Sequence, residues 1–540
     1  MGFEPPSPRR GVEALSGVLT GLQVLGGAGL LRPMRPDVAA RGVLALARDG
    51  LSPAAALGYS AARFPDRLAV VDDRGTLTFP EARLEADRLA GVLEAGGVRA
   101  GDRVGLLSAN HRGFLLATAA LSSLQADVVL LNAAASRREL AAVLCGEHIA
   151  HLVHDGRLDP LPGAPDTLVH PLSWQPLPPG REGRPLLSGV PRRFRRPSRY
   201  VLLTSGTTGR PKGAARSVPL SLDPLVAMLS RLPLRVNDVT MIASPLFHAW
   251  GFAHLGLGLV LSSTFVLRTR FDAEATLAAI AQQRVRVLVA VPVMLQRLVE
   301  LPEATRRRYD TSSLEVVASS GSALPGELAT RVMDAFGEVL YNLYGSTEAA
   351  WATVATPSDL RADPRTAGRP PRGSRVLVVG DDGAPVAPGT TGRILVSNSM
   401  VSRPVAGTDR GGFVATGDLG HLDATGLLFV DGREDDMVVS GGENVYPDEV
   451  EEVLLSHPGV LEAAVVGVPD EEFGARLRAA VVAAPGHEPS EEELRAFLRE
   501  RVARFKVPRE IVFLPSLPRT ATGKPRRRSI REPDRRDGAT

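Results

Sequence analysis

The ten residues Thr204-Ser205-Gly206-Thr207-Thr208-Gly209-Arg210-Pro211-Lys212-Gly213 constrain this chain more than any other stretch. They follow the apolar run Tyr200-Val201-Leu202-Leu203, which reads as the end of a buried strand. Gly206, Gly209 and Gly213 permit tight turns and close backbone approach. The hydroxyls of Thr204, Ser205, Thr207 and Thr208, exposed backbone N–H groups and the Lys212 cation can line a nest for an anion, a chemistry suited to nucleotide phosphates. The spacing is not that of a P-loop, which needs four residues between its glycines and then Gly-Lys-Ser/Thr. Taken alone, such a stretch is as often a turn or a linker, and both readings stay open at this point.

The surrounding chain alternates strand and helix signals. Leu68-Ala69-Val70-Val71 and Leu77-Thr78-Phe79 flank the turn Asp72-Asp73-Arg74-Gly75, a hairpin pattern. Pro80 opens a helical pattern to about Leu93, closed by Gly96-Gly97. A strand at 104–107, a helix over 112–122 and a strand at 128–131 continue the alternation, which implies α/β layers. Residues 157–198, rich in Pro, Gly and Arg, read as an irregular surface connection. Further strands are expected at 288–291 and 316–318, with helices from Pro292 and over 325–336. Strands at 375–379 and 393–396 around Asp381-Asp382-Gly383 indicate a smaller β-rich section.

After Gly432 the pattern becomes a compact α+β unit of roughly a hundred residues, a plausible separate domain. A helix runs from Pro447 through Leu455, strands follow at 465–468 and 477–482, and a Ser490/Glu493 capping box starts a helix to about Arg504. The expected divisions are an appended segment over 1–50, a large domain over 51–434 and a small one over 435–540.

With 540 residues the chain has room for two or more cores. A net charge of +3 is too small to argue for nucleic acid, and the basic run Arg526-Arg527-Arg528 near the end reads as a solvated tail. The one cysteine, Cys145, can form no internal disulfide and sits in an apolar helical context that favours a structural role. A reducing, cytoplasmic location follows as the expectation. Residues 12–31 are mostly apolar, but their glycines and Glu13 suit an interfacial or protein-packed helix better than a spanning one, so peripheral contact with the inner face of a membrane is the alternative location.

Four further strings carry chemistry. Tyr344-Gly345-Ser346-Thr347-Glu348 offers a ring to stack on a base, hydroxyls for phosphate and a carboxylate for Mg²⁺. Thr416-Gly417-Asp418 puts a carboxylate on a tight turn, able to take two ribose hydroxyls. Gly432-Arg433-Glu434-Asp435-Asp436 is followed by Ser440-Gly441-Gly442-Glu443-Asn444. Pro518-Arg519-Thr520-Ala521-Thr522-Gly523-Lys524 sets a lysine on a Gly/Thr loop. Each alone has an ordinary structural reading; together and in this order they do not.

With these strings in place, the chain resembles the adenylate-forming superfamily of acyl-CoA synthetases, peptide-synthetase adenylation domains and luciferases, over about residues 55–527. Within it, Ser244-Pro245-Leu246-Phe247-His248-Ala249-Trp250-Gly251-Phe252 and Ser320-Gly321-Ser322-Ala323-Leu324-Pro325 make it most similar to bacterial fatty-acid–CoA ligases. The resemblance implies a large N-terminal domain of layered α/β subdomains with a β-rich subdomain, and a small mobile α+β C-terminal domain. It implies a carboxylate attacking the α-phosphate of ATP, then CoA thiol attacking the acyl-AMP.

In that scheme Lys524 bridges carboxylate and α-phosphate, and Glu348 holds Mg²⁺. Thr204 with Ser205, Gly206, Thr207, Thr208, Gly209 and Lys212 grips the β- and γ-phosphates. Ser322, Ala323, Tyr344, Gly345 and Thr347 form the adenine side, and Asp418 with Arg433 takes the ribose. His248 guards the acyl pocket. Asp435 is the hinge, and Ser440, Gly441 and Gly442 line the pantetheine channel.

The expected reaction is ATP-dependent CoA ligation of a medium- or long-chain fatty acid, with ATP, Mg²⁺ and CoA as cofactors. The alternatives are an aryl or other small acid, or an acyl-AMP ligase that loads a carrier protein. Two departures from the family pattern stand out: residues 402–414 lack its usual Gly-Tyr, and Pro525-Arg526-Arg527-Arg528 replaces the apolar residues usual after the lysine.

Overall fold

The computed structural model describes residues 19–133, 135, 137–155, 168–171, 198–204, 212–217, 222–346, 349–401, 412–434, 438–440, 443–470, 474–503, 506–520 and 524–531. The backbone falls into two compact units, residues 1–290 with 301–318, and residues 291–300 with 319–540.

The first unit holds two sheets. One runs Leu168–Pro171, His151–His154, Arg103–Leu107, Asp127–Leu131, Arg199–Thr204, Lys212–Ser217, parallel except for the last, antiparallel pair. Its central strands are apolar at nearly every position because both faces are covered, as parallel sheets require; Val128, Val129, Leu130 and Leu131 are all buried. The other sheet carries Val287–Ala290, Val239–Ile242, Thr264–Val266 and Leu68–Asp72 in parallel order, with Gly75–Thr78 closing the edge as an antiparallel hairpin.

Local chemistry sets where the helices start. The Phe79–Ala95 helix begins at a capping box: the Thr78 hydroxyl accepts the Glu81 N–H while the Glu81 carboxylate accepts the Thr78 N–H. The Arg112–Leu124 helix is capped instead by the His111 ring, whose Nδ1 accepts the Gly113 N–H at 3.0 Å.

Three expectations change in this unit. The 157–198 connection is not wholly irregular, since Leu168–Pro171 adds a parallel strand beside His151–His154. Cys145 is exposed on the Arg137–Gly146 helix rather than packed. In the appended segment, a helix over 19–27 and the Pro36–Asp49 helix are described, and no helix among the described residues is long and apolar enough to cross a membrane. The latter packs through small residues, Gly42 lying against the Tyr59 ring, and leaves Val43, Leu44 and Leu46 exposed.

The second unit contains the Pro292–Glu300 and Gly326–Phe336 helices, the antiparallel pair Leu340–Tyr344 and Thr353–Ala355, and a four-stranded antiparallel sheet. That sheet runs Arg375–Val379, Gly392–Ser397, Val414–Leu422, Leu428–Arg433 and is the expected β-rich section.

Beyond it, Val460–Asp470, Gly474–Ala483 and Glu510–Phe513 form a mixed sheet. The Pro447–Leu455 and Glu491–Arg499 helices pack on it through Val450, Leu454, Leu494 and Leu498 against Val465, Leu477 and Val481. The Ser490/Glu493 capping box is present, but its helix stops at Arg499, not near Arg504. The chain turns there because Val502 and Val507 are drawn onto the same core. The strands run longer than expected. Pro469 is tolerated within Val460–Asp470 because that strand is the sheet edge, where a missing donor costs nothing.

Candidate active site

The Tyr200-Val201-Leu202 run is buried, and the strand it belongs to ends at Thr204. Thr204 and Lys212 are Cα partners in an antiparallel ladder. Ser205, Gly206, Thr207, Thr208 and Gly209 lie outside the described residues, and the side chains of Thr204 and Lys212 are likewise outside them. The backbone thus pairs Thr204, the first residue of the motif, with Lys212 across the ladder.

His248 sits immediately before the Ala249–Val260 helix, its ring 4.2 Å from that of Phe247. Two features fix its segment. Asn110 donates to the carbonyls of Ile242 and Ser244 at 3.1 and 2.8 Å and accepts the Leu246 N–H at 2.9 Å. Gly251 lets the helix settle onto the turn, because a Cβ there would stand 2.4 Å from the Pro245 carbonyl oxygen. Asn110 did not emerge from the sequence: it bridges residues more than a hundred positions away, and no local pattern encodes that.

The same helix buries His254. Its Nδ1 donates to the Trp250 carbonyl at 3.2 Å, and its Nε2 has no hydrogen-bond partner. Burial depresses its pKa to about 4, so the ring is neutral.

In the second unit the predicted adenosine-side residues converge. Tyr344, at the end of its strand, donates its hydroxyl to Asp418 Oδ2. Arg433 Nη1 donates to Asp418 Oδ1 at 3.3 Å, and the two residues are cross-strand partners in the Val414–Leu422/Leu428–Arg433 ladder. The backbone N–H of Asp418 is held by Thr416 Oγ1 at 3.1 Å.

Burial pushes the Asp418 carboxyl above its usual range, against the opposing pull of the Tyr344 hydroxyl and the Arg433 charge. Burial and the facing carboxylate raise the Tyr344 phenol, so it stays protonated as a donor. Asp418 sits not on the tight turn expected from the sequence but within the Val414–Leu422 strand, at an irregularity of the ladder where Gly417 takes φ 77°. Gly345 is required for a different reason: a Cβ would lie 2.1 Å from the Ala350 carbonyl oxygen. Ser322 and Ala323 occupy the loop before the Gly326–Phe336 helix, entered through Gly321 at φ 96°.

Lys524 lies at the base of a small hairpin. Its carbonyl accepts the Thr520 N–H at 2.8 Å and its N–H reaches Thr520 Oγ1 at 3.2 Å, while Arg519 and Pro525 form a bridge. Ser440 ends a short strand paired with Glu443. Thr347, Glu348, Asp435, Gly441 and Gly442 lie outside the described residues, as does most of the 402–414 departure. Among the described residues no group of three His, Cys, Asp or Glu side chains could hold a metal ion.

A Ser-His-Asp grouping elsewhere in the first unit is not a nucleophile site. His111 Nε2 faces Asp155 and its Nδ1 accepts the Gly113 N–H, while Ser108 donates to Asp155 at 3.0 Å. Ser108 Oγ stands 3.4 Å from His111 Nε2, the same nitrogen that faces Asp155, so the ring does not lie between serine and carboxylate in the manner of a triad.

The family model of AMP-binding enzymes matches residues 57–404, and that of the AMP-binding enzyme C-terminal domain matches residues 449–524. A feruloyl-CoA synthase of Amycolatopsis sp is 35% identical over 487 residues, covering 86% of this chain and 95% of that protein. An indoleacetate–CoA ligase of Aromatoleum aromaticum is 38% identical over 341 residues, covering 62% of this chain and 66% of its own length. Among solved structures, an amide bond synthetase of Marinactinospora thermotolerans superposes with a TM-score of 0.74 at 31% identity, covering 86% of this chain and 96% of that one.

Proposed function

The chain belongs to the AMP-binding enzyme family, and on that premise we propose that it is an ATP-dependent acid–CoA ligase acting on an aryl or other small carboxylic acid. The observation that carries the substrate class is the feruloyl-CoA synthase, similar along 95% of its own length. It moves the reading away from the fatty acids expected from the sequence and toward the alternative weighed beside them.

In the first half-reaction the acid's carboxylate oxygen attacks the α-phosphorus, the new P–O bond forms, and the bond to pyrophosphate breaks. In the second, the CoA sulfur attacks the acyl carbon, the thiol proton is lost, and AMP leaves with the oxygen it gained. Asp418 would take the ribose hydroxyls while Tyr344 lays its ring along the adenine, its hydroxyl fixing the carboxylate it contacts. Arg433 holds the other oxygen of Asp418, leaving both partners oriented before ATP arrives.

The ladder end at Thr204 and Lys212 would hold the leaving phosphates. Lys524 would sit between two anions and offset their repulsion as they approach. Mg²⁺, when bound, supplies further neutralisation of the phosphates.

The test is acid-dependent pyrophosphate release across ferulate, indoleacetate, substituted benzoates, octanoate and palmitate, with and without CoA. Release with the aryl acids, and thioester only when CoA is added, is the expected result. Higher kcat/KM for palmitate would return the fatty-acid reading. Release without any CoA thioester, but with amide when an amine is supplied, would assign the acceptor chemistry of the amide bond synthetase instead.

A further inference from the structure

Lys524 is a long, flexible cation whose many rotamers must be restrained before its charge is placed. Charge placed for a transition state needs its support fixed to roughly 0.5 Å. The hairpin that bears it is closed through Thr520, the Arg519–Pro525 bridge and the Arg526 N–H, which donates to the Pro518 carbonyl at 2.7 Å, and an isolated two-stranded hairpin is marginal in water. Its rigidity therefore comes from what flanks it.

Both flanks are pinned to the same underlying layer. On the entering side Leu517 is buried, and Arg519 Nη2 pairs with Glu462 of the Val460–Asp470 strand at 3.0 Å. On the leaving side Arg527 donates through Nη1 to Glu451 Oε1 at 2.7 Å and to the Val465 carbonyl, and through Nη2 to Asp448. Glu451 in turn accepts the Val465 N–H at 2.6 Å, tying the Pro447–Leu455 helix to the strand beneath. Ile530 is buried in one cluster with Leu517, Ala464 and Val466. The basic run read from the sequence as a solvated tail is thus split: Arg526 and Arg528 are exposed, while Arg527 is clamped between two carboxylates.

We propose that Arg519 and Arg527, with their partners Glu462, Asp448 and Glu451, are positioning residues that hold the Lys524 hairpin for the adenylation half-reaction. The proposal rests on the reading of Lys524 given above. It has a specific consequence: loosening a clamp should cost acyl-AMP formation, which uses Lys524, and spare thioester formation from supplied acyl-AMP, which does not. A general loss of folding would lower both.

The experiment measures the two half-reactions separately on the full chain, pyrophosphate release from acid and ATP, and thioester from synthetic acyl-AMP and CoA. Arg519→Gln and Arg527→Lys are each expected to slow the first about 10- to 100-fold, the range that a displacement near 1 Å produces, and to leave the second within about 3-fold. The charge-exchanged pair Arg519→Glu with Glu462→Arg is expected to recover most of the first. Equal slowing of both half-reactions in Arg519→Gln, or wild-type adenylation in both single variants, overturns the proposal. Lys524→Ala separates the two levels. If it adenylates normally, the role of Lys524 itself fails. If it does not adenylate while the clamp variants do, only the clamp is refuted.

Discussion

His254 shows how a single buried group writes itself into the pH dependence of the whole chain. Its ring is neutral in the fold with a pKa of about 4, against the ordinary 6.5 when exposed. Between those values the unfolded chain binds the proton and the folded one does not, so stability falls as pH drops from about 6.5 to about 4. The loss is at most about 3 kcal/mol. His254→Phe keeps an aromatic body in the site and is expected to flatten that acid limb; urea midpoints at pH 7 and pH 5 that differ as much as in the wild type would refute this. At the same scale the sequence was most informative where a residue's task is local. Tyr344, Gly345, Asp418 and Arg433 could be picked out because short strings frame them, and the structure brings Tyr344, Asp418 and Arg433 into direct contact. Asn110 could not, since what it does depends on strands that only the folded chain brings near. Arg527 was misread for the same reason: its carboxylate partners lie 76 and 79 positions away.

Among the elements, the Ala249–Val260 helix is tied to its neighbours by two missing side chains. Gly251 faces the Pro245 carbonyl, and a Cβ on Gly258 would stand 2.5 Å from the Phe265 ring. Backbone yields less readily than a side chain, so Gly251→Ala is expected to be the more costly, by about 1–3 kcal/mol. Because the helix follows His248 directly, the same change should raise KM for the acid more than KM for ATP. Thermal midpoints and a KM comparison check both statements; an unchanged midpoint, or equal rises in the two KM values, would count against them. The start of the Glu491–Arg499 helix was legible in the sequence because its Ser490/Glu493 cap is local chemistry, whereas the cap at Thr78 was read as part of a strand. Ends were less so. The Glu491–Arg499 helix stops where Val502 and Val507 turn to the core, a tertiary demand with no stop signal in the string.

For the molecule as a whole, the α/β layers followed from the alternation of strand and helix signals, and the β-rich section from the strand–turn–strand pattern around Asp381-Asp382-Gly383. The division of the backbone did not, because the Pro292–Glu300 helix belongs with residues far beyond it, its Gln296 donating to the Leu461 carbonyl at 2.9 Å. Chain order and spatial grouping part company there, and hydrophobic periodicity cannot see it. One further property of the chain is useful at this scale. Cys145 is its sole thiol and stands exposed on the Arg137–Gly146 helix. The unaltered protein is therefore a one-site substrate for maleimide chemistry. A single engineered cysteine beyond residue 443 would complete a donor–acceptor pair, and the change in energy transfer on adding ATP and acid would test the hinge expected at Asp435.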